Sequence, residues 1–190
     1  MRTRHFLSGA LAAAISLTVT AAPSPNPATD TTAATNHAVL DNLPFADRQA
    51  FEDARRGFIA QLPDGKVTNA DGSVAWDMSE YDFLDQETAP ATVNPSLWRQ
   101  AQLNAIHGLF EVTEGMYQIR GMDLANMTII EGDTGLIIID PLLSPSTARA
   151  GLELYYQNRP QKPVVAVLYT HNHVDHWGGV KGVTSNEDVA

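Results

Sequence analysis

One short segment of this 190-residue sequence constrains the fold more than any other: residues 170–179, which read T-H-N-H-V-D-H-W-G-G. It follows residues 164–169, a continuous apolar run typical of a strand that is buried on both faces of a sheet. His171 and His173 stand two residues apart at the end of that strand, so their side chains point the same way. The sequence therefore predicts a sheet that presents a pair of imidazoles at one edge, and such a pair is suited to binding metal.

The spacing within this segment favours a binuclear metal site. His171 and His173 are placed to bind one metal ion together, and Asp175 and His176 lie just beyond them, where they can reach a second ion. Two metal ions about 3.5–4 Å apart acidify a bridging water and stabilise the charge that develops on a substrate. From the residues alone, a surface histidine cluster or a single adventitious metal site stays the alternative interpretation.

Composition narrows the choice of metal and of partner. The sequence has no cysteine, which excludes disulfides, iron–sulfur clusters, thiolate zinc fingers and a cysteine nucleophile. Ligands limited to nitrogen and oxygen fit zinc best, with iron or manganese as alternatives. A formal net charge of −10 argues against nucleic acid or an anionic membrane surface as the main partner. The remaining histidines, His5, His37 and His107, stand alone in the sequence, and we expect them to take no part in the site.

The chain before residue 108 divides into segments by composition. Residues 1–22 begin with two arginines, continue as an apolar run and end in small residues, the pattern of a secretory signal peptide. That run is too short to span a membrane, so we expect a periplasmic or secreted protein without a membrane span. Residues 23–40 are rich in Ala, Pro, Ser and Thr, which predicts a flexible linker.

Residues 41–107 are predicted to form an N-terminal extension that carries no chemistry. Helical spacing of apolar residues predicts a helix over residues 46–60 and a short helix over residues 97–103. Between them, the turn residues N-A-D-G separate two short apolar segments, 67–68 and 74–76, and this predicts a small hairpin.

Residues 108–190 show the pattern of an α/β sheet. Strands are predicted at residues 110–112, 116–120, 127–130, 136–139 and 164–169, with one helix over residues 145–158. The order strand, helix, strand at the end of this series predicts a right-handed crossover between two parallel strands.

Three further features allow two interpretations each. Asp140 ends the apolar strand 136–139, where it either turns the chain or hydrogen-bonds one of the metal ligands. Trp177 is either a core residue or part of a pocket wall, and the core is the favoured interpretation. Residues 120–123 (R-G-M-D) suggest an ion pair within a loop more than the lining of a substrate channel.

At the metal-binding segment the chain resembles the metallo-β-lactamase superfamily, whose signature is H-x-H-x-D-H after a buried strand. It is most similar to the linear alkylsulfatase group within that superfamily, and four segments carry this resemblance: N-P-S-L-W-R-Q at 94–100, G-L-F-E-V at 108–112, Y-Q-I-R-G at 117–121, and residues 170–182. The resemblance implies an αββα sandwich and a zinc-dependent hydrolase of alkyl sulfate esters of the dodecyl sulfate type. It also implies two zinc ions, with His171 and His173 on one and Asp175 and His176 on the other. The resemblance further implies a periplasmic location, and a homodimer for the full-length enzyme.

The resemblance covers only the first part of such enzymes. Members of the group place further glutamates and a histidine downstream, followed by additional domains, so we expect this chain to be an N-terminal fragment that is inactive alone. The fold expected is therefore an incomplete metallo-β-lactamase-like sandwich over residues 108–190 with an N-terminal extension. Two alternatives stay open: a related binuclear zinc hydrolase of lactams, lactones or thioesters, and a metal-binding fragment without catalysis.

Overall fold

The computed structural model describes residues 26–188, so the predicted signal peptide over residues 1–22 lies outside the described residues. The first element is helix α1, Asp30–Leu40, so these residues are helical within the segment for which the sequence predicts a linker. Thr29 caps the helix by accepting a hydrogen bond from the backbone N–H of Thr32 at 3.1 Å. Alanines supply helix propensity, so this segment is helical although none of its residues is buried.

The extension contains six further elements: helix α2 (Gln49–Arg55), strand β1 (Phe58–Ala60), the hairpin strands β2 (Lys66–Thr68) and β3 (Val74–Asp77), a 3-10 helix (Met78–Asp85), and helix α3 (Pro95–Asn104). The predicted hairpin and the predicted short helix are confirmed. The helix predicted over residues 46–60 ends early, because Gly57 has a φ of 73° and the next three residues form β1. A Cβ at residue 57 would overlap the carbonyl oxygen of Glu111, so only glycine lets β1 approach its neighbouring strand.

The main sheet has six strands in the order β1-β4-β5-β6-β7-β8. The last five are β4 (Gly108–Thr113), β5 (Met116–Arg120), β6 (Met127–Glu131), β7 (Leu136–Ile139) and β8 (Val164–Leu168). All neighbours are antiparallel except β7 and β8, which are parallel and joined through helix α4, Pro145–Asn158. The predicted α/β class and the strand–helix–strand unit are confirmed. Because β7 and β8 run in the same direction, their carboxyl ends meet at one edge of the sheet.

The core lies between the sheet and α4. Its fully buried side chains come mainly from β4 to β7 and from one side of the helix: Leu109, Tyr117, Ile119, Met127, Ile129, Leu136, Ile138, Ala148, Leu154 and Tyr155. Gly151 allows α4 to pack closely, because a Cβ there would lie 3.1 Å from the side chain of Ile119. Strand β8 is less covered than its apolar sequence predicts, since Val165 is 57% exposed and Leu168 is 52% exposed.

Within residues 26–188, no helix combines the length and the apolar character that crossing a membrane requires.

Candidate metal centre

The four predicted metal ligands lie in one cluster beyond the end of β8. His171 and His173 follow the strand, and Asp175 and His176 sit in a short 3-10 turn, Val174–His176. Nε2 of His171 is 3.1 Å from Nδ1 of His173, and Nε2 of His176 is 3.3 Å from Oδ2 of Asp175. The rings of His171 and His176 are 4.0 Å apart between centroids. The spacing in the sequence thus correctly predicts which side chains come together, and their role as metal ligands stays a prediction.

The chemistry of this donor set fits zinc better than a hard cation such as magnesium. It consists of three imidazoles and one carboxylate, and zinc favours nitrogen and carboxylate ligands in this combination. The donors contact one another in pairs, and among the described residues no group of three or more acidic or histidine side chains is arranged around one common point. His171 and His173 are exposed, whereas Asp175 and His176 are half-buried. Donor type and proximity therefore suit zinc, while the arrangement is that of an open cluster.

Asp140 connects this cluster to the sheet. Its Oδ2 accepts a hydrogen bond from Nδ1 of His176 at 2.8 Å and another from the hydroxyl of Thr170 at 2.7 Å, and its Oδ1 accepts one from the backbone N–H of Thr170 at 2.8 Å. Burial acts to raise the pKa of Asp140, but the hydrogen bonds from Thr170 and His176 outweigh it and hold the pKa below its usual value. Of the two interpretations of Asp140, the structure supports the hydrogen bond to a candidate ligand.

This hydrogen bond places a proton on Nδ1 of His176, because a carboxylate can only accept. Nε2 is then the ring nitrogen that is left to bind a metal ion. Nε2 already faces Asp175, the other candidate ligand of the second ion. Asp140 therefore holds His176 with Nε2 directed towards Asp175.

The loop after Asp140 has an unusual backbone. Asp140 has a φ of 55° and the fully buried Leu142 has a φ of 65°, both in the left-handed region that non-glycine residues rarely adopt. The carbonyl oxygen of Leu142 accepts a hydrogen bond from the backbone N–H of Gly179 at 2.8 Å. This loop is thus the surface against which the end of the metal-binding segment packs.

Gly178 and Gly179 are needed for close approach more than for a tight turn. Neither has a positive φ, so a side chain would not strain the backbone by itself. A Cβ on Gly178 would overlap the carbonyl oxygen of Leu143, and a Cβ on Gly179 would overlap that of Pro141. The two glycines therefore let the metal-binding segment lie directly on the loop that follows Asp140.

Two expectations about nearby residues are wrong. Trp177 is 43% exposed and donates from Nε1 to the carbonyl oxygen of Asn172, so it is not a core residue. Arg120 forms no ion pair within its loop, since it donates to Gln118 and covers the ring of Phe110 with its guanidinium 4.5 Å from the centroid.

Sequence reasoning missed the role of Asp123, which is buried and accepts hydrogen bonds from Leu143 and Thr147. No spacing pattern marks this residue, because its partners lie 20 and 24 positions away in the sequence.

Comparison with known proteins shows which enzymes this chain is similar to. Residues 120–190 match the sequence model of the metallo-beta-lactamase superfamily. The chain is 55% identical to an (R)-specific secondary-alkylsulfatase of Pseudomonas sp. over 188 residues, 98% of this chain and 28% of the relative. It is 56% identical to a linear primary-alkylsulfatase of Pseudomonas sp. over 170 residues, 89% of this chain and 25% of the relative.

A solved structure extends the similarity to three dimensions. The stereoselective inverting sec-alkylsulfatase Pisa1 from Pseudomonas sp. superimposes with a TM-score of 0.81 at 59% identity, over 86% of this chain and 26% of that protein. The chain spans about a quarter of the length of the relatives it matches. Both the resemblance to the N-terminal portion of alkylsulfatases and the predicted partial metallo-β-lactamase-like fold are confirmed, as is the resemblance to enzymes.

Proposed function

We propose that this chain provides the first set of metal ligands of a zinc-dependent hydrolase of alkyl sulfate esters. The observation that carries the proposal is the cluster of His171, His173, Asp175 and His176, which lies where two parallel strands end. Within this cluster His176 donates to Asp140. The similarity to alkylsulfatases over nearly the whole chain supports the substrate class.

Each side chain has a defined task in this proposal. His171 and His173 hold one zinc ion, and Asp175 and His176 hold the second. When bound, the two ions supply charge stabilisation to the sulfate ester and lower the pKa of a water molecule that attacks it. Asp140 accepts a hydrogen bond from Nδ1 of His176, so Nε2 is the ring nitrogen that would bind the second ion. The close approach of Gly178 and Gly179 to the loop after Asp140 lets the segment lie directly on that loop.

The 190-residue chain alone is proposed to bind zinc weakly and to lack measurable turnover. This chain offers two protein ligands to each ion, whereas catalytic zinc sites use about three and structural sites about four. The exposed histidine pair also loses side-chain freedom when it binds an ion, which lowers affinity further. We also propose export through residues 1–22 to the periplasm or the medium, and a homodimeric state for the complete enzyme.

Zinc titration of the purified chain tests the metal assignment. The wild type is expected to bind zinc, and a His171→Ala/His173→Ala double variant is expected to lose most of the affinity because the first ion loses both of its ligands here. His37→Ala is the matched control, since His37 lies in the last turn of α1, far along the chain from the cluster. Equal zinc affinity in the wild type and the double variant would contradict the assignment.

A further inference from the structure

Asp123 is a buried carboxylate to which the proposed mechanism gives no task. It is 6% exposed, and within residues 26–188 it forms no ion pair with Lys, Arg or His. Its Oδ1 accepts a hydrogen bond from the backbone N–H of Leu124 at 2.5 Å. Its Oδ2 accepts two more, from the backbone N–H of Leu143 at 3.1 Å and from the hydroxyl of Thr147 at 2.5 Å. A buried carboxylate is costly without such donors, so these contacts account for its presence in the interior.

One donor on Oδ2 lies in the loop that begins at Asp140, and the other lies in the helix that follows this loop. Leu143 lies three residues after Asp140, and Thr147 lies in the first turn of α4. Thr147 also forms a capping box with Ser144, in which its hydroxyl oxygen accepts from the Ser144 backbone N–H. A hydroxyl has one proton and two lone pairs, so Thr147 can accept from Ser144 and still donate its proton to Asp123. Asp123 thus fixes the loop and the start of the helix at one point.

The loop that begins at Asp140 has a strained backbone, so contacts at both of its ends are needed to keep its conformation. Its positive-φ residues, Asp140 and Leu142, adopt conformations that persist only where the surroundings impose them. At one end Asp140 is bound to β8 through its backbone N–H, which donates to the carbonyl oxygen of Leu168 at 3.0 Å. At the other end Leu143 and Thr147 donate to Asp123, next to the capping box of Ser144 and Thr147 and the hydrogen bond that Leu142 accepts from Gly179.

We infer that Asp123 is a positioning residue for the metal centre, acting through the loop that runs from Asp140 to Ser144. By holding Leu143 and Thr147 it keeps the loop in its strained conformation, and this conformation sets both the aim of Asp140 at His176 and the surface that Gly179 packs on. The inference rests on the proposed function for its link to zinc. Its structural part, the effect of Asp123 on His176, does not depend on metal.

The test compares Asp123→Ala with Asp71→Ala as a matched control. Asp71 is an exposed carboxylate in the β2–β3 turn that accepts two hydrogen bonds, both from Ser73. The first readout is the Nδ1–H proton of His176 in ¹⁵N–¹H spectra of the metal-free protein. In Asp123→Ala we expect this proton to exchange with solvent about tenfold faster or more, because the loop opens locally. In Asp71→Ala we expect no change.

Zinc affinity is the second readout, and Thr147 provides a second set of variants. We expect Asp123→Ala to weaken zinc binding about 10–100-fold, the usual effect of removing support around a metal ligand. Thr147→Val keeps the shape of the side chain but removes the hydroxyl, so it is expected to shift both readouts in the same direction. Thr147→Ser restores the hydroxyl and is expected to return both towards the wild type. The Thr147→Val and Thr147→Ser variants test the role of Asp123 if Asp123→Ala does not fold.

An unchanged His176 proton in the folded Asp123 or Thr147 variants would overturn the inference, whatever their thermal stability, because a purely structural role lowers stability alone. The same holds if zinc affinity stays equal to that of the wild type. Absence of zinc binding by the wild type would instead contradict the proposed function, and the His176 proton would still test the role of Asp123.

Discussion

Replacing Asp140 with asparagine exchanges an acceptor for a donor at the atom that faces His176. In the orientation in which the amide oxygen keeps the hydrogen bond from the backbone N–H of Thr170, the amide nitrogen takes the place of Oδ2, and the following changes apply to this orientation. An N–H₂ group donates, so His176 has to accept on Nδ1 and its proton moves to Nε2. Asp140→Asn therefore blocks the nitrogen that is proposed to bind zinc, with almost no change of volume.

The expected magnitude follows from these contacts. Loss of the correct tautomer should weaken zinc binding about 10–100-fold, which corresponds to about 1.4–2.7 kcal/mol. Hydrogen bonds to a charged group are worth about 1 kcal/mol more than neutral ones, and two of them change, so folding stability should fall by about 1–2 kcal/mol. Asparagine tolerates the φ of 55° at this position, whereas Asp140→Ala should lose about 1 kcal/mol more because alanine does not.

Two measurements check this prediction. The ¹⁵N shifts of the His176 ring in the metal-free protein report which nitrogen carries the proton, and competition with a chromophoric chelator reports zinc affinity. Asp71→Asn is the control, because it changes a carboxylate in an exposed turn away from the loop. The reasoning is refuted if Asp140→Asn keeps the proton of His176 on Nδ1 and binds zinc as tightly as the wild type.

Three further predictions concern stability, pH and export. Gly179→Ala should lower the free energy of unfolding by about 1–3 kcal/mol in urea titrations, because the added Cβ would overlap backbone atoms. Gly132→Ala is the control and should cost less, because its Cβ would lie 3.1 Å from the nearest atom. Equal effects of the two substitutions would contradict the close-approach argument. Burial acts to raise the pKa of Glu131, but hydrogen bonds from Tyr155, Arg159 and Lys162 lower this pKa overall. The contribution of Glu131 to folding stability is therefore present above the unfolded pKa and is lost as pH falls through the folded pKa. Urea titrations between about pH 3 and pH 7 should therefore show a smaller loss of stability in Glu131→Gln than in the wild type, and an identical pH dependence would contradict this. Exported protein should lack residues 1–22 by N-terminal sequencing, and an intact N-terminus on exported protein would exclude the signal peptide.

The features that the sequence predicts well are those with a regular pattern. Strands β4 to β8 and helix α4 follow alternation, continuous apolar runs and turn residues, and all of them are found close to the expected bounds. The cluster of His171, His173, Asp175 and His176 was predictable because short spacing at a strand end leaves little freedom in where the side chains lie.

The features that the sequence does not predict depend on contacts between residues far apart in the chain, or on local capping and helix propensity. Strand β1 has three residues, and it exists because Gly57 stops α2 and lets the chain reach β4. Helix α1 is decided by a cap at Thr29 and by alanine content, which the linker-like composition conceals. The role of Asp123 arises only after the loops that follow β5 and β7 pack together, and no short-range pattern marks it.

The most direct test of the proposed function places this chain in the setting of a complete enzyme. Residues 23–190 would replace the matching segment of the linear primary-alkylsulfatase of Pseudomonas sp., to which this chain is 56% identical over 170 residues. We predict that the chimera releases sulfate from dodecyl sulfate, that a chelator abolishes this release and zinc restores it, and that Asp175→Ala in the chimera cuts turnover sharply while the protein stays folded. A folded chimera without sulfate release, or full activity in the Asp175→Ala chimera, would contradict the account.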